Sequence, residues 1–505
     1  MFWSDPQLQS NPLRTMRTLK DLGVQVVRTS IIWGNVAAQY AYPSTKPTQL
    51  DATDPGSYPA DGWTTYDAID RAAAATGIRL YFTVTGPGPR WAAGPGAPTT
   101  FGDTPWEPSA ADFGEFVRAV GKRYDGHYRP AGATSPLPRV DFWSIWNEPN
   151  YGTTLQPQVN AAHQPVSPRM YRELVDAAWS SLGATGHTPA TDTILIGETA
   201  PYGTEPDQVG AVRGMVPEMV PLTFIRGLYC LGSDYAPLQG AAATQLGCPA
   251  SSTNFKADNP GLFDASGWAD HPYTGGNPPS MLTTGLPGSA DFADFPAISH
   301  LEDSLDRATA AYGSTVQFPI YNTEFGFQTN PPNVESTTTS LGNAATYMNQ
   351  AEYLSWRNPR IRSFNQYELI DQNAKKHDNF DTGLEFFTSP DHPFDGRPKP
   401  SYEAYRMPLW MPETSAARGH HLEVWGCARA APVVAHRTGQ SQNVEIQFAQ
   451  PAGRYRTIAT VTLDPASAGC YFDTFVRFPG SGTVRLAWKD GSTFQHSRVQ
   501  AITVS

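Results

Sequence analysis

The chain has 505 residues and a mass of 55.0 kDa, more than a single hydrophobic core usually fills, so we expect one large domain and a smaller one. Its net charge of −11, without any cluster of lysine and arginine, argues against nucleic acid as a partner. The sequence contains no run of 18 apolar residues, which argues against a membrane span.

The chain begins with MFWSDPQLQ, which contains neither the basic segment nor the long apolar stretch of a signal peptide. If MFWS is the first strand, that strand is unusually short. Two explanations stay open. Either an export signal or part of the first strand has been lost from the start, or the strand is short by nature and forms few hydrogen bonds.

Strand-like and helix-like stretches alternate from the start to about residue 410. The predicted strands are MFWS, 24–32, 78–84, 140–146, 193–198, 267–273, 318–324 and 361–369. The predicted helices are 11–22, 65–76, 109–124, 168–182, 297–312 and 341–357. This pattern predicts an α/β fold, a (β/α)8 TIM barrel over residues 1–411 with inserted loops. A doubly wound open sheet is the alternative, but no glycine fingerprint follows the first strand.

A long insertion, residues 201–266, follows the fifth predicted strand and is rich in Pro, Gly and Asp. Loops after barrel strands form the face on which active sites are built. We therefore expect this insertion to shape a substrate pocket. A purely structural insertion is the alternative.

Residues 412–505 have a different character, because helical periodicity gives way to alternating apolar and polar residues. This pattern predicts a C-terminal antiparallel β-sandwich, an accessory domain. We favour a structural role over glycan binding, because no cluster of aromatic residues stands out there. The predicted strands are 443–449, 456–463, 471–478, 482–488 and 500–504.

The four cysteines, Cys230, Cys248, Cys427 and Cys470, lack the spacing of a zinc site. Three pairings are possible, and we favour Cys230–Cys248 with Cys427–Cys470 because each pair then closes a loop within one domain. Disulfides indicate an oxidising compartment, so we expect a secreted or extracytoplasmic protein. Four buried free thiols are the alternative.

Two isolated glutamates end predicted strands that are far apart in sequence. Glu148 lies in WSIWNEPN after the fourth strand, and Glu324 lies in NTEFG after the seventh. In a closed eight-stranded barrel these two strand ends face each other across the mouth. Two carboxyl groups placed there can flank one glycosidic bond, with one attacking the anomeric carbon while the other protonates the departing oxygen.

These two motifs resemble the catalytic motifs of clan A glycoside hydrolases, and WNEPN is most similar to that of glycoside hydrolase family 39. The resemblance covers roughly residues 1–410. It implies that Glu148 is the general acid/base and Glu324 the nucleophile. It also implies that Asn147 holds the sugar hydroxyl beside the anomeric carbon, and that Arg28, at the second strand, keeps the nucleophile ionised.

Other candidates follow from position at strand ends. His271 and Tyr273, in DHPY, are expected to hydrogen-bond Glu324, as the clan often places such residues there. Glu198, after the fifth strand, is expected to bind a sugar hydroxyl, with a catalytic role as the alternative. Asp270 and Glu368 are weaker candidates.

Aromatic side chains stack on the apolar faces of sugar rings, so those near strand ends are candidates for pocket walls. Core packing is the alternative for each. Many clan A enzymes have a tryptophan on strand eight, where this chain has FNQYELID, so polar contacts from Gln366 and Tyr367 are expected instead. The other aromatic candidates are Trp33, Trp91 and Tyr151.

Together these features predict a retaining O-glycoside hydrolase that needs no cofactor and acts on an oligo- or polysaccharide. No metal site is evident, since His420 and His421 are adjacent and suit no chelating face. A uronide would require cations besides Arg28, and Arg90 is the only candidate, so we expect a neutral pentose-type sugar, arabinoside or xyloside, and exo action. Endo cleavage of a backbone and a catalytically silent carbohydrate-binding barrel are the alternatives. The oligomeric state is not predicted.

Overall fold

Parallel strands form the centre of the structure, a computed structural model that describes residues 1–40, 43–97, 103–210, 217–335, 337–372, 380–389, 396–464 and 469–505. Most of their residues are buried, as expected for a parallel sheet that helices cover. In chain order the strands are β1 (Phe2–Trp3), β2 (Val26–Ile32), β3 (Arg79–Thr85), β4 (Phe142–Ile145), β5 (Thr193–Thr199), β6 (Gly267–Asp270), β7 (Ile320–Asn322), β8 (Ile361–Ser363) and β9 (Gln366–Tyr367).

The sheet closes into a barrel. Its strand order is β8-β7-β6-β5-β4-β3-β2-β1-β9, and neighbouring strands are parallel. Since β8 and β9 are two pieces of the eighth predicted strand, the two ends of this order meet. The predicted TIM barrel with a C-terminal antiparallel sandwich is therefore confirmed.

The eighth strand is interrupted where the sequence predicts a continuous one. Between its two pieces, the side-chain amide of Asn365 donates a hydrogen bond to the backbone carbonyl of Thr323 beside β7. Ser363 Oγ also donates to the carbonyl of Asn322 at 2.8 Å. Side chains thus make hydrogen bonds here that the backbone makes in a regular strand. A pattern of apolar residues does not reveal this substitution.

Helices follow most barrel strands and pack around them. Serine caps begin two of them, since the hydroxyls of Ser109 and Ser340 accept hydrogen bonds from backbone N–H groups in the first turn. In the described part of the chain, no helix combines the length and the apolar character that crossing a bilayer requires. The helices of the first 406 residues are Asp5–Ser10, Pro12–Asp21, Trp33–Val36, Ala60–Thr76, Ala110–Arg123, Ser167–Ala184, Pro221–Leu228, Gly240–Gln245, Phe255–Asp258, Gly261–Asp264, Ile298–Ala310, Leu341–Arg357 and Pro400–Arg406.

In the described part of the chain, three short ribbons lie in the loops that follow β3, β7 and β9. Each consists of two paired strands of two residues. They are Gly88–Pro89 with Asp103–Thr104, Thr329–Asn330 with Thr339–Ser340, and Glu385–Phe386 with Arg397–Pro398.

The described strands of the C-terminal domain form two sheets. They are β10 (Leu409–Trp410), β11 (Ser415–Ala416), β12 (His421–Cys427), β13 (Gln442–Ala449), β14 (Arg456–Leu463), β15 (Tyr471–Arg477), β16 (Gly482–Asp490), β17 (Thr493–His496) and β18 (Gln500–Val504). One sheet has the order β10-β12-β15, and the other has the order β11-β18-β16-β13-β14, with β17 paired to β16. Strands β10, β11, β12 and β17 and a helix, Ala431–Thr438, were not predicted.

The two domains have separate hydrophobic cores, and polar contacts join them. The second core begins at Met407, a few residues before the boundary between residues 411 and 412 that we predict from the sequence. At the junction, Arg429 pairs with Glu352 at 2.6 Å, and Tyr471 donates a hydrogen bond to the same carboxylate at 2.6 Å. Both partners of Glu352 belong to the sandwich, so the sandwich is tied to the barrel helix Leu341–Arg357.

The structure contains two disulfides, Cys230–Cys248 and Cys427–Cys470. These are the two pairs that the sequence analysis favours. The first lies within the insertion after β5, and the second joins the end of β12 to the start of β15. Each bond closes a loop within one domain and limits the freedom of the unfolded chain.

Candidate active site

Glu148 and Glu324 converge at the mouth of the barrel. Glu148 follows the end of β4 and Glu324 follows the end of β7, and a carboxyl oxygen of one lies within 4.8 Å of a carboxyl oxygen of the other. Both glutamates line a pocket of about 460 Å³, a size within the range of small-ligand sites. The other described residues of its wall are Tyr151, Ala200, Pro201, Tyr202, Glu218, Tyr273, Gly275, Gly326, Gln328, Thr337, Tyr367 and Phe380.

The backbone around Glu148 leaves the strand abruptly. Trp146 has a φ of 67° and Glu148 a φ of 41°, both in the left-handed region that residues other than glycine rarely adopt. Hydrogen bonds hold this conformation, because the Glu148 N–H donates to the carbonyl of Glu198 at 2.9 Å and Tyr151 N–H donates to the carbonyl of Glu148 at 2.9 Å. Such backbone conformations cluster at functional sites, where the surroundings hold them in place.

Arg28 lies beneath the pocket and is fully buried. It donates to Glu324 at 2.5 Å and to Asn147 Oδ1 at 2.7 Å, while Thr83 accepts from its Nε at 2.9 Å. Burial by itself would lower the pKa of Arg28, but the charges of Glu198 and Glu324 outweigh it and raise that pKa above its ordinary value. Arg28 therefore stays cationic and forms an ion pair with Glu324.

His271 links three carboxylates. Its Nδ1 lies 2.9 Å from Glu148 and 3.6 Å from Glu324, and its Nε2 lies 2.7 Å from Glu198. Burial favours the neutral imidazole, but these carboxylates outweigh burial and raise the pKa of His271 to about 10. The side chain is thus an imidazolium at neutral pH, and it donates a hydrogen bond to Glu148 on one side and to Glu198 on the other.

The charge on His271 predicts a pH-dependent stability. Its pKa is about 10 in the folded chain, against 6.5 for an unperturbed histidine of the unfolded chain, so its stabilising contribution is complete below pH 6.5 and is lost as the pH rises towards 10. We expect the free energy of unfolding of the wild type to fall over this range by on the order of a few kcal/mol more than that of His271→Gln. Chemical denaturation at several pH values measures this difference.

The comparison with His271→Gln separates the contribution of the imidazole to the pH dependence of stability. Both proteins keep the buried carboxyl groups that titrate in this range. Asp270, whose pKa burial raises to about 8, is one of these groups. Substitution of the exposed His300 with glutamine is the control, and it should leave the wild-type slope unchanged. Equal slopes for the wild type and His271→Gln would contradict the charged state of His271.

Glu198 lies below the pocket and does not reach its surface. It is fully buried, and its oxygens accept hydrogen bonds from Tyr81, from Ser144 at 2.5 Å and from Thr323 at 2.6 Å. Burial alone would raise the pKa of Glu198, but the Arg28 charge and the His271 contact lower it well below its ordinary value. With these partners around it, Glu198 is arranged to hold Arg28 and His271 in position rather than to contact a ligand.

Three of the predicted aromatic residues line the pocket: Tyr151, Tyr273 and Tyr367. Tyr273 donates a hydrogen bond to Glu324 at 3.2 Å, so the nucleophile candidate has a tyrosine on one carboxyl oxygen and Arg28 on the other. The ring of Tyr367 stacks on Trp3, with ring centres 4.2 Å apart. Tyr151 lies beside Glu148, whereas Tyr273 and Tyr367 lie beside Glu324.

The remaining predicted contacts lie elsewhere. Trp33 is fully buried and stacks on Phe116, and Trp91 packs against Trp33 with its indole N–H bonded to the carbonyl of Tyr40. Gln366 is buried, and its amide donates to backbone carbonyls below the pocket. None of these three residues belongs to the described pocket wall.

The sequence analysis missed Tyr202, Glu218 and Phe380, which also line the pocket. Tyr202 and Glu218 belong to the insertion after β5, for which the sequence predicted a role in the pocket without naming residues. No strand pattern surrounds them, so their position depends on long-range contacts. Phe380 contacts Tyr273 edge-to-face, with ring centres 4.9 Å apart.

Within the described ranges, two groups of side chains have the ligand types and spacing to hold a metal ion. One is Glu148, His271 and Glu324. Because His271 is protonated and donates to its neighbours, it cannot serve as a ligand in that state. The other is Glu368, Asp371 and Asp381, three buried carboxyl groups among which Lys399 donates to Asp371 at 2.7 Å.

No protein-family model matches the sequence, and no curated protein sequence matches it. Solved structures that are similar to this chain include a family 39 glycoside hydrolase from the gut symbiont Bacteroides cellulosilyticus WH2, with 15% identity and a TM-score of 0.48, covering 94% of this chain and 80% of that chain. A family 1 β-glucosidase from Thermotoga maritima has 16% identity and a TM-score of 0.44, covering 77% of this chain and 83% of that chain.

An endo-β-1,4-mannanase from Thermotoga petrophila has 12% identity and a TM-score of 0.37, covering 97% of this chain and 93% of that chain. These structures are glycoside hydrolases, the class that WNEPN and NTEFG resemble. Their likeness to this chain is distant and extends to the fold alone.

Proposed function

We propose that the protein is a retaining glycoside hydrolase that cleaves a glycosidic bond by double displacement. The observation that carries this proposal is the approach of Glu148 and Glu324 to within 4.8 Å across a pocket. Retaining enzymes have carboxyl groups about 5–5.5 Å apart, whereas inverting enzymes need about 6.5–9.5 Å to accommodate a water molecule. The measured separation supports the retaining reaction.

In this proposal Glu324 is the nucleophile. Arg28 and Tyr273 both donate hydrogen bonds to it, which orients its two carboxyl oxygens. Its carboxylate oxygen attacks the anomeric carbon while the bond to the leaving oxygen breaks and that oxygen takes a proton from Glu148. Water then attacks the glycosyl ester, and Glu148 accepts the proton of this water. In this proposal Asn147, whose side-chain oxygen accepts a hydrogen bond from Arg28, holds the hydroxyl beside the anomeric carbon.

The pocket supports a neutral sugar as the substrate. Three carboxyl groups, Glu148, Glu218 and Glu324, line it, and no lysine or arginine is among the wall residues in the described ranges. Arg90 is not in this wall. A uronic acid would meet like charges here, whereas tyrosine and phenylalanine rings suit the apolar faces of an uncharged ring. Within this class we propose an arabinoside or xyloside at the end of an oligo- or polysaccharide, since a pocket rather than a groove suits exo action.

We further propose that the protein acts outside the cytoplasm. Two disulfides are present, and such bonds persist mainly in oxidising compartments. A plant or microbial polysaccharide that contains arabinose is a substrate of this kind, because such polymers are available to an exported enzyme. We expect no cofactor to take part, since two carboxyl groups are sufficient for the reaction.

A screen of 4-nitrophenyl glycosides tests this proposal. We expect release of nitrophenol from an arabinoside or xyloside at a rate about tenfold or more above that from the matching hexosides, because a pocket shaped for a pentose has no room for the extra hydroxymethyl group. Proton NMR of the first product should show the anomeric configuration of the substrate.

Other outcomes of the screen separate the alternatives. Release of internal oligosaccharides from a polysaccharide would indicate endo cleavage. Binding of saccharides without turnover of any glycoside would indicate a catalytically silent carbohydrate-binding barrel. An inverted first product would contradict the double displacement.

A further inference from the structure

Glu218 is a carboxyl group of the pocket wall that the reaction itself does not require. It lies on the same side of the pocket as Tyr151 and Tyr202, beside Glu148. Among the described residues, no side chain donates a hydrogen bond to its carboxyl group, although burial and the Glu148 charge raise its pKa to about 7. A half-buried carboxyl group that no described side chain binds keeps its capacity to accept hydrogen bonds from a ligand.

The backbone holds Glu218 in register with the loop that carries Glu148. Gly152 N–H donates to the carbonyl of Pro217 at 2.7 Å, and Met219 N–H donates to the carbonyl of Asn150 at 2.9 Å. The side-chain amide of Asn150 also donates to the Met219 carbonyl at 2.9 Å. A Cβ at position 152 would lie 2.7 Å from the Pro217 oxygen, so glycine is required for this approach.

The position of Glu218 identifies which part of a substrate it meets. In a double displacement the acid stands beside the oxygen of the leaving group, and the nucleophile stands beneath the anomeric carbon of the other sugar. Glu218, Tyr151 and Tyr202 adjoin the acid candidate Glu148, whereas Tyr273 and Tyr367 adjoin Glu324. The wall that carries Glu218 therefore faces the leaving-group side.

Resting on the proposed function, we propose that Glu218 forms a binding subsite for the leaving-group sugar and accepts hydrogen bonds from the hydroxyls of an uncharged residue. Above its pKa of about 7 Glu218 is a carboxylate, and a hydrogen bond to a charged acceptor is worth more than one between neutral groups, so at pH 8 this contact selects its occupant. A uronic acid at this subsite meets the carboxylates of Glu218 and Glu148 and is disfavoured by like charge. The insertion after β5 thus contributes the specificity of the leaving-group side.

Transfer of the glycosyl group to added sugars tests this subsite without knowledge of the natural substrate. The protein of residues 1–505 is incubated with the best 4-nitrophenyl glycoside of the screen as the donor. D-xylose, D-glucose or D-glucuronate is added as the acceptor. An acceptor hydroxyl oxygen attacks the anomeric carbon, the ester to Glu324 breaks, a glycosidic bond forms, and Glu148 takes the hydroxyl proton. We expect transfer to the neutral sugars to exceed transfer to glucuronate about tenfold or more in the wild type.

In Glu218→Gln we expect the ratio of transfer to hydrolysis for the neutral sugars to fall about tenfold and the preference over glucuronate to shrink to about twofold. The control is Asp176→Asn on the helix Ser167–Ala184, because burial also raises the pKa of Asp176 to about 7. This variant should keep the wild-type transfer to neutral sugars and the wild-type preference over glucuronate.

Three results would each overturn the subsite. The wild type could prefer glucuronate, or it could release nitrophenol without transfer to any acceptor. Glu218→Gln could also keep the full wild-type preference for neutral sugars over glucuronate. The wild-type comparison alone decides the matter if the variant does not fold. Failure of every glycoside in the screen would instead overturn the proposed function, so the two failures are distinguishable.

Discussion

Replacement of Glu324 with alanine should reduce turnover by on the order of 10⁴-fold or more, because the covalent glycosyl intermediate can no longer form. The rest of the site supports this expectation. Arg28 and Tyr273 donate to its two carboxyl oxygens, so the structure holds this group oriented towards the pocket. Initial rates on the best 4-nitrophenyl glycoside measure the loss.

Sodium azide should restore activity to Glu324→Ala. The small anion fits the space that the side chain leaves and attacks the anomeric carbon directly, and the product is a glycosyl azide of inverted anomeric configuration. NMR spectroscopy of the product identifies this configuration. Glu413→Ala, an exposed glutamate of the sandwich, is the control and should be fully active without azide. Full activity of Glu324→Ala would refute its role as the nucleophile.

Replacement of Glu148 with glutamine should separate substrates according to their leaving groups. A glycoside with a poor leaving group needs a proton as the bond breaks, so we expect its rate to fall about 10²–10⁴-fold. A 2,4-dinitrophenyl glycoside leaves without a proton, so its first step should be nearly unaffected. A burst of dinitrophenol followed by slow turnover is expected, because Glu148 also activates the water of the second step.

Stopped-flow measurement of this burst in Glu148→Gln provides the test. Glu198→Gln is an informative comparison, because Glu198 is also a strand-end glutamate but lies below the pocket without reaching it. We expect Glu198→Gln to slow both kinds of substrate similarly, through misplacement of Arg28 and His271. An equal loss on activated and unactivated substrates in Glu148→Gln would argue against its role as the acid.

The barrel was predictable because strand periodicity and chain order determine it. Once eight parallel strands close, residues at their carboxyl ends must gather, so the sequence could identify Glu148, Glu324, Arg28 and His271 before any coordinates. Their mutual contacts support that reasoning.

Side-chain direction was less predictable than strand position. Trp33 and Trp91 follow strands as Tyr151 does, but they turn into the core rather than the pocket. Spacing from a strand does not determine which way a loop residue faces, because tertiary packing decides it. Glu218 had no local signal at all, since hydrogen bonds to Asn150 and Gly152, distant in sequence, place it.

Two hydrogen bonds from Asn150 limit how this scaffold can be redesigned. Its side chain ties the carbonyl groups of Ala200 and Met219 to the loop that begins at Glu148. Grafting a different insertion onto this scaffold would therefore displace Glu148 unless the graft preserved these acceptors. The insertion and the strand-end loop cannot be exchanged independently, and libraries that vary residues 201–266 should retain the backbone of 217–219.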